Sequence, residues 1–402
     1  MRELSNWLDS YLEYTENTES PTSYHTWCGL SVIAGALQRK VYLQWGLAET
    51  IYPNLYVVLI GTSGRTRKGT AIGIAKSMLK EVPGISVVPE SSSGRQAMIA
   101  AMKRAINNFQ DPIDGKIKFH CSVTAFSEEL SVFLGQGDIA YLSNLTDWYD
   151  SKDDWEYETI SRGKDSLQGL CLNLCGGTAP DWIQSMLPQE ALGGGFTSRV
   201  VFVVEEKKRK IVPKFVVDDA TKELGRKLRL DLERISQLSG EMTFDPEGEA
   251  AYVAWYIEQD TKLSNGQPPI PDTRFAGYCE RRATHLRKLM LVCSASRGDD
   301  LKLTKADFIK AKGLLEAVEG NMAKTFGGLG KARNSDATDA IMSYIQAVKF
   351  TTRRQIMQKF YRDVDPLTLS TIEQTMQQMG VLKIALKPDA EGGPDKTYQW
   401  IG

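Results

Sequence analysis

The clearest chemistry in the sequence lies in a glycine-rich segment that could hold phosphate groups. An apolar run at 54–60 is followed directly by Gly61-Thr62-Ser63-Gly64-Arg65-Thr66-Arg67-Lys68-Gly69-Thr70, and residues 71–79 have helical periodicity. In a strand, loop and helix of this kind, backbone N–H groups and the helix N-terminus bind phosphate oxygens, and a lysine meets the β and γ charges. We therefore expect a nucleotide site with contacts from Gly61, Gly64, Arg67, Lys68, Gly69 and Thr70.

The loop differs from the standard phosphate-binding pattern GxxxxGK[ST] in three ways. It is one residue longer, Arg67 stands in the place of the last glycine, and Gly69 separates Lys68 from the hydroxyl of Thr70. We expect Lys68 to bind phosphate and the hydroxyl of Thr70 or Thr66 to lie near Mg²⁺. The alternative is a basic surface turn that opens a helix.

A second candidate strand, 119–126, leads into two adjacent carboxylates, Glu128 and Glu129. Because strand ends of an open parallel sheet meet at one edge, these side chains would lie near a bound nucleotide. Phosphoryl transfer needs metal charge and a positioned water more than covalent chemistry. We expect Glu128 to orient Mg²⁺ through water and Glu129 to polarise the attacking water. The alternative is an acidic first turn of a helix.

Three further features follow along the chain. Alternating residues predict a hairpin whose turn carries Arg162 and Lys164. The strand that returns from this hairpin ends near Thr178. A glycine-rich stretch then leads to Arg199, directly before an apolar strand at 200–204.

These features resemble, in their order, the superfamily 3 helicases and related phage and prophage replication ATPases of the AAA+ type. The ordered set consists of the phosphate loop, the acidic strand end, the hairpin, the polar strand end and Gly195-Phe196-Thr197-Ser198-Arg199. The segments 52–61 and 67–71 are similar to prophage primase-helicase-like proteins. The resemblance covers about 24–315, with Glu128 where aspartate is usual and Thr178 where asparagine is usual.

The resemblance implies a fold, cofactors and residue roles. The fold would be an α/β P-loop NTPase core of AAA+ type with a parallel sheet, followed by a helical lid, and the cofactors would be ATP and Mg²⁺. Thr178 would sense the γ-phosphate, and Arg199 would act on the nucleotide of a neighbouring subunit. The alternative for Arg199 is a structural arginine that caps the strand or pairs with a local acid. A lid arginine, Arg282 or Arg287, would close over the γ-phosphate; the alternative is a solvated helix face. The hairpin tip would grip single-stranded DNA in the channel of a homo-oligomeric, hexameric ring; the alternative is a plain surface hairpin.

Composition changes along the chain predict four segments. They are helices that pack on the core (1–50), the ATPase core (51–212), a helical lid (213–326) and a winged helix-turn-helix (331–402). In the last segment, three helical patterns are followed by two strand patterns. Its basic residues Arg353, Arg354 and Lys359 suit contact with the phosphates of duplex DNA. A protein-docking module is the alternative.

Composition also limits the class of protein. The chain has 402 residues, a formal net charge of -1, 42% hydrophobic and 25% charged residues, which is typical of a soluble globular chain of two or three domains. The pattern contains neither a membrane-spanning run nor a signal peptide, so we expect a cytoplasmic protein, in the bacterial host if a phage or prophage encodes it. The six cysteines lack a CxxC pair and the three histidines are scattered, which supports neither a disulfide framework nor a zinc site.

Three functional hypotheses follow from these patterns. The favoured one is a ring-forming motor that couples ATP hydrolysis to movement along DNA, specifically a phage or prophage replicative helicase. The second is a nucleotide-controlled initiator or helicase loader that binds DNA without translocating. The third is an inactive P-loop scaffold whose winged helix recruits a partner.

Overall fold

The structure is a computed structural model that describes the chain except residues 1, 48, 90–93, 136–137, 160–162, 187–193, 215, 327–334, 389–393 and 402. It divides into two units, Met1–Phe326 and Gly327–Gly402, and each is described by itself. The first unit contains, in chain order, α1 (Trp7–Tyr14), α2 (Thr22–Leu37), β1 (Val41–Trp45), β2 (Glu49–Ile51), β3 (Tyr56–Ile60), α3 (Lys68–Lys80), β4 (Val87–Val88), α4 (Arg95–Arg104), β5 (Ile106–Gln110), β6 (Ile117–Ser127), α5 (Leu130–Leu134), α6 (Ile139–Tyr149), β7 (Asp154–Thr159), β8 (Gly163–Gln168), β9 (Leu170–Thr178), α7 (Pro180–Met186), β10 (Val200–Val204), α8 (Asp219–Gln237), β11 (Gly240–Glu241), β12 (Thr243–Phe244), α9 (Pro246–Ser264), α10 (Ala276–Arg297), β13 (Lys302–Leu303) and α11 (Lys305–Met322).

A parallel sheet forms the centre of the first unit. Its strand order is β10-β3-β9-β6-β4, and β5 is added antiparallel to β6. Every residue of β3, β9 and β10 is buried. Strands covered on both faces are continuous apolar runs rather than alternating ones, as these sequences are. The mixed α/β class with a parallel sheet, predicted from the sequence, is confirmed.

Side-chain alternation along β9 identifies the helices on each face of the sheet. Asn173 donates to Ser31 O of α2 at 2.8 Å, and Cys175 Sγ lies 3.8 Å from Cys28 Sγ of the same helix. Gly176, which faces the other way, lies against Leu130 of α5. Helix α2 is therefore a core helix, in agreement with the burial of 13 of its 16 residues.

Two further properties concern the described residues as a set. None of the helices within the described ranges is both long and apolar enough to cross a bilayer. The cysteines at 28, 121, 171, 175, 279 and 293 are all buried free thiols.

The second unit is described over 335–388 and 394–401. It contains, in chain order, α12 (Ser335–Val348), β14 (Phe350–Thr352), α13 (Arg353–Phe360), α14 (Pro366–Gln378), β15 (Leu382–Pro388) and β16 (Pro394–Trp400). The strands form an antiparallel sheet in the order β14-β16-β15. Its core contains Ile345, Ile356, Ile372 and Tyr398. Thr352 starts α13 with a capping box to Gln355.

Gly169, between β8 and β9, provides a test of this fold. It has a φ of +59°, and a Cβ there would overlap Phe119 O and lie 2.8 Å from His120 Cα. We expect Gly169→Ala to lower the free energy of unfolding by about 3 kcal/mol, because a backbone overlap adds to the cost of the left-handed φ. Gly115 has a φ of +67° with nothing within 4 Å of its Cβ position, so Gly115→Ala should cost only about 1 kcal/mol. Equal losses in urea unfolding would contradict the close approach at Gly169.

Candidate functional site

The glycine-rich loop 61–67 connects β3 to α3 at the carboxyl edge of the parallel sheet. Gly61 N donates to Thr178 O at 3.2 Å, which ties the start of the loop to β9. A Cβ at Gly61 would lie within 2.7 Å of Thr66 Oγ1, Tyr24 OH and Glu205 O. The loop therefore needs glycine here, because three neighbours occupy the space of a side chain.

Lys68 is the first residue of α3 and lies folded back over the loop. Its Nζ donates to Gly61 O at 2.5 Å, and the residue is 9% exposed. Burial lowers the pKa of the Lys68 ammonium below its usual value, while the Glu129 carboxylate acts in the opposite direction. A phosphate at the loop would supply the negative charge that this buried ammonium favours.

Glu128 lies against the first turn of α3. A Cβ on Gly69 would be 2.7 Å from Glu128 Oε2, and one on Gly73 would be 3.8 Å from Glu128 Oε1. The carboxylate therefore occupies the space that a side chain after Lys68 would fill. The glycine that interrupts the standard pattern makes room for Glu128.

Glu129 and Thr178 stand at the same edge of the sheet. Glu129 is exposed at the N-cap position of α5, and Ser131 Oγ donates to its Oε1 at 3.1 Å. Thr178 is fully buried at the end of β9, level with Ile60 of β3. Since Gly177 also lies against Glu128 O, the structure brings together Lys68, Glu128, Glu129 and Thr178.

Thr66 and Thr70, the two hydroxyls predicted to lie near Mg²⁺, differ in their surroundings. Thr66 is buried and donates to Thr62 O at 3.3 Å. Thr70 lies on a different stripe of α3 from Gly69, because successive helical residues are about 100° apart. It lines a cavity of about 440 Å³ together with Asn17, Thr18, Glu19, Arg67, Ile74 and Val212. The metal ion that the sequence predicts between Thr70 and Glu128 stays a prediction.

The two remaining loop residues predicted to bind nucleotide differ in their surroundings. Gly64 has a φ of +69° with open space around its Cβ position. Arg67 directs its guanidinium to Glu19, where Nε donates to Oε2 at 2.7 Å. In this structure, Arg67 contacts the N-terminal segment.

Arg199 lies at the amino-terminal ends of the parallel strands, whereas the loop 61–67 lies at their carboxyl ends. Val200 pairs with Tyr56, at the start of β3, whereas the loop follows the end of that strand, a distance of about 16 Å along five residues. The buried guanidinium donates to Asp150 Oδ2 at 2.7 Å, to Asp150 Oδ1 at 3.2 Å and to Gly195 O at 2.8 Å. Arg199 therefore does not serve the loop of its own chain, and action on a neighbour stays a prediction.

The predicted hairpin forms from β7 and β8, which pair antiparallel. Arg162 lies outside the described residues. Lys164 Nζ pairs with Glu156 Oε1 at 2.7 Å, and Lys103 of α4 pairs with Asp165 at 2.5 Å. The described part of the hairpin is thus acidic as well as basic, and its one described tip lysine has an internal partner.

Arg282 and Arg287, the two arginines expected in a lid, are buried residues of α10 with partners in the first unit. Arg282 donates to Glu319 at 2.6 and 2.7 Å and to Gln259 Oε1 at 2.6 Å. Arg287 donates to Ala283 O and lies 4.4 Å from the centre of the Trp45 ring. Both guanidinium groups thus have partners within the first unit.

The basic residues of the second unit differ in their exposure. Arg353 donates to the buried Glu373 at 2.6 Å and to Pro366 O at 2.7 Å, so it holds α13 against α14. Lys359 Nζ lies 3.9 Å from the centre of the Tyr344 ring. Arg354 and Lys359 are both exposed and remain candidates for phosphate contact.

Comparison with known proteins gives structural similarity but no match to a sequence family. No protein-family model matches the chain, and no curated protein matches it. Among solved structures, the chain is similar to a full-length MCM homolog from Methanopyrus kandleri, with a TM-score of 0.42 and 13% sequence identity. The match covers 78% of this chain and 58% of that chain, which is less than two thirds of its length. A similarity of this size assigns no role to any residue.

The residues at the loop fit a nucleotide with Mg²⁺. Among the residues that the structure describes, no group of three or more His, Cys, Asp and Glu side chains could hold a metal. Mg²⁺ in phosphate-processing sites is bound by one or two carboxylates, with phosphate oxygens and water completing its shell. Glu128 beside the start of α3 meets that requirement. The metal would therefore depend on the bound phosphates.

Gly69 tests the place of Glu128. Gly69→Ala should displace the Glu128 carboxylate, whose flexible end lies 2.7 Å from the new Cβ. We expect Mg²⁺-dependent nucleotide affinity to fall by roughly tenfold, as when the surroundings of a metal ligand are disturbed. Gly73→Ala is the matched control on the same stripe, since its Cβ makes an ordinary 3.8 Å contact. Calorimetry with and without Mg²⁺ would contradict the assignment if both variants bind as the wild-type chain does.

Proposed function

We propose that the chain binds ATP with Mg²⁺ at the loop 61–70 and hydrolyses it. It would be a DNA-associated ATPase of the AAA+ type. The observation that carries this proposal is the meeting of three strand ends at one sheet edge, where Lys68, Glu128 and Glu129 converge. Phosphoryl transfer to water needs a cation on the phosphates, a carboxylate that binds the metal and a group that positions the water. Lys68, Glu128 and Glu129 would supply these in turn.

The residues would divide the chemistry as follows. When bound, Mg²⁺ supplies positive charge to the phosphate oxygens. Lys68 would exchange its bond to Gly61 O for phosphate oxygens, and Glu128 would hold the metal. Glu129 would orient the attacking water and accept its proton, because its carboxylate is exposed beside the loop. Thr178 would contact the γ-phosphate from the end of β9.

The cavity beside the loop supports a place for the nucleoside. It has a volume of about 440 Å³ and includes Thr70, Ile74 and Val212 among its lining residues. Ligand pockets combine apolar walls with a few polar groups, and this cavity adjoins the loop through Arg67 and Thr70. We therefore assign the base and sugar of ATP to it.

The second unit supports the DNA-associated part of the proposal. Three helices and a three-stranded antiparallel sheet are the elements of a winged helix-turn-helix. The outer face of α14 carries uncharged hydrogen-bonding side chains, including Thr371, Gln374 and Gln377. Such groups read base edges, while Arg354 and Lys359 would contact phosphates. Protein docking is the alternative use of this unit.

A ring-forming helicase of the phage or prophage replication type is the finer proposal. It requires Arg199 to reach a neighbour's nucleotide and the hairpin tip to hold DNA. The internal pairs Arg199–Asp150 and Lys164–Glu156 favour a second candidate, a nucleotide-controlled DNA-binding initiator or loader without translocation. Strand displacement separates the two, since only the motor unwinds a duplex.

Two variants test the hydrolytic site. Glu129→Gln keeps the oxygen that accepts from Ser131 but loses the base, so ATP should still bind while turnover falls at least about a hundredfold. Lys68→Ala should abolish ATP binding in calorimetry. Wild-type turnover by the first variant would assign the base elsewhere, and unchanged affinity of the second would remove the phosphate site.

A further inference from the structure

Arg67 has a backbone conformation that glycine adopts without cost. It is the residue before α3, with a φ of +55° and a ψ of +37°. Other L-residues enter this left-handed region only at a cost in free energy. The standard phosphate loop has glycine at this place, so the rest of the chain must hold Arg67 in its conformation.

Two residues that precede α2 hold Arg67. Its Nε donates to Glu19 Oε2 at 2.7 Å, and its carbonyl oxygen accepts from Ser20 Oγ at 2.7 Å. The first bond orients the side chain, and the second fixes the peptide group that leads into Lys68. We call Glu19, Ser20 and Arg67 the loop clasp.

Glu19 also anchors the segment that follows β10. Its carboxylate accepts from Lys208 Nζ at 2.5 Å and from Val212 N at 3.2 Å. The bonds from Lys208, Val212 N and Arg67 hold the pKa of Glu19 at about 2, so the carboxylate stays ionised at neutral pH. Because Val212 lines the cavity beside the loop, Glu19 connects the cavity wall to Arg67.

We propose that Glu19 and Ser20 are positioning residues for the nucleotide site. They hold Arg67 left-handed and so keep the loop and Lys68 in place before the nucleotide arrives. This inference rests on the proposed binding of nucleotide at the loop. It explains how the chain tolerates arginine where the standard loop has glycine, since the clasp supplies the restraint that glycine makes unnecessary.

A double-mutant cycle with Mg²⁺–ADP tests the clasp by calorimetry. Glu19→Gln should weaken ADP binding by roughly tenfold, the effect of losing the support of one strained residue. In the Arg67→Gly background, the same change should alter affinity by less than about twofold, because glycine adopts this φ freely. The cycle compares the effect of Glu19→Gln with and without Arg67, so it does not depend on the affinity of Arg67→Gly itself.

The controls separate positioning from stability. Glu16 lies in the same segment but pairs with Arg209 at 3.3 Å, so Glu16→Gln should leave ADP affinity unchanged. Ser20→Ala removes only the hydroxyl bond to the carbonyl oxygen of residue 67. It should weaken ADP binding more in the wild-type chain than in the Arg67→Gly chain, because glycine needs less restraint to adopt this φ. The Ser20→Ala variant replaces Glu19→Gln in the double-mutant cycle if circular dichroism shows Glu19→Gln to be unfolded.

The outcomes distinguish the clasp from the nucleotide site. Equal losses from Glu19→Gln in the wild-type and Arg67→Gly backgrounds, or no loss in either, would overturn the clasp while leaving ADP binding by the wild-type chain in place. Absence of ADP binding by the wild-type chain would overturn the nucleotide site and the clasp together. A loss confined to the chain that retains Arg67 supports the proposal.

Discussion

Parallel pairing of β3 with β9, and of β9 with β6, is the constraint on which the candidate site depends. Ile60 is level with Thr178, and Ser127 is level with Gly176, so three strands end at one edge. A slip of one residue would turn every buried side chain to the other face of the sheet. Because β3 and β9 are buried along their whole length, packing on both faces fixes this alignment, and with it the distance between Lys68 and the two carboxylates.

The departures from the standard phosphate loop are related to one another in the structure. Gly69 leaves space for the carboxylate of Glu128, which follows β6. Thr70 instead lines the neighbouring cavity with Ile74. Arg67, in place of a glycine, is held by Glu19 and Ser20. Arg67 and Gly69 thus each have a structural partner outside the loop.

Local sequence patterns predicted the elements that bury apolar surface but not the long-range partners of charged residues. Runs such as 54–60 and 200–204 predict buried strands because both faces are covered. Strand β5 was missed, because Asn107 and Asn108 are exposed and the strand exists only through its pairing with β6. Arg199 has its partner 49 residues away at Asp150, and Arg282 has its partner 37 residues away at Glu319. No local periodicity reveals such pairs.

The most direct test of the nucleotide site is a crystal structure of the chain with Mg²⁺ and a non-hydrolysable ATP analogue. The account predicts a triphosphate along residues 61–70, with Lys68 Nζ moved from Gly61 O to the phosphate oxygens and Glu128 beside the metal. A nucleotide bound elsewhere, with Lys68 Nζ still on Gly61 O as it is here at 2.5 Å, would contradict it.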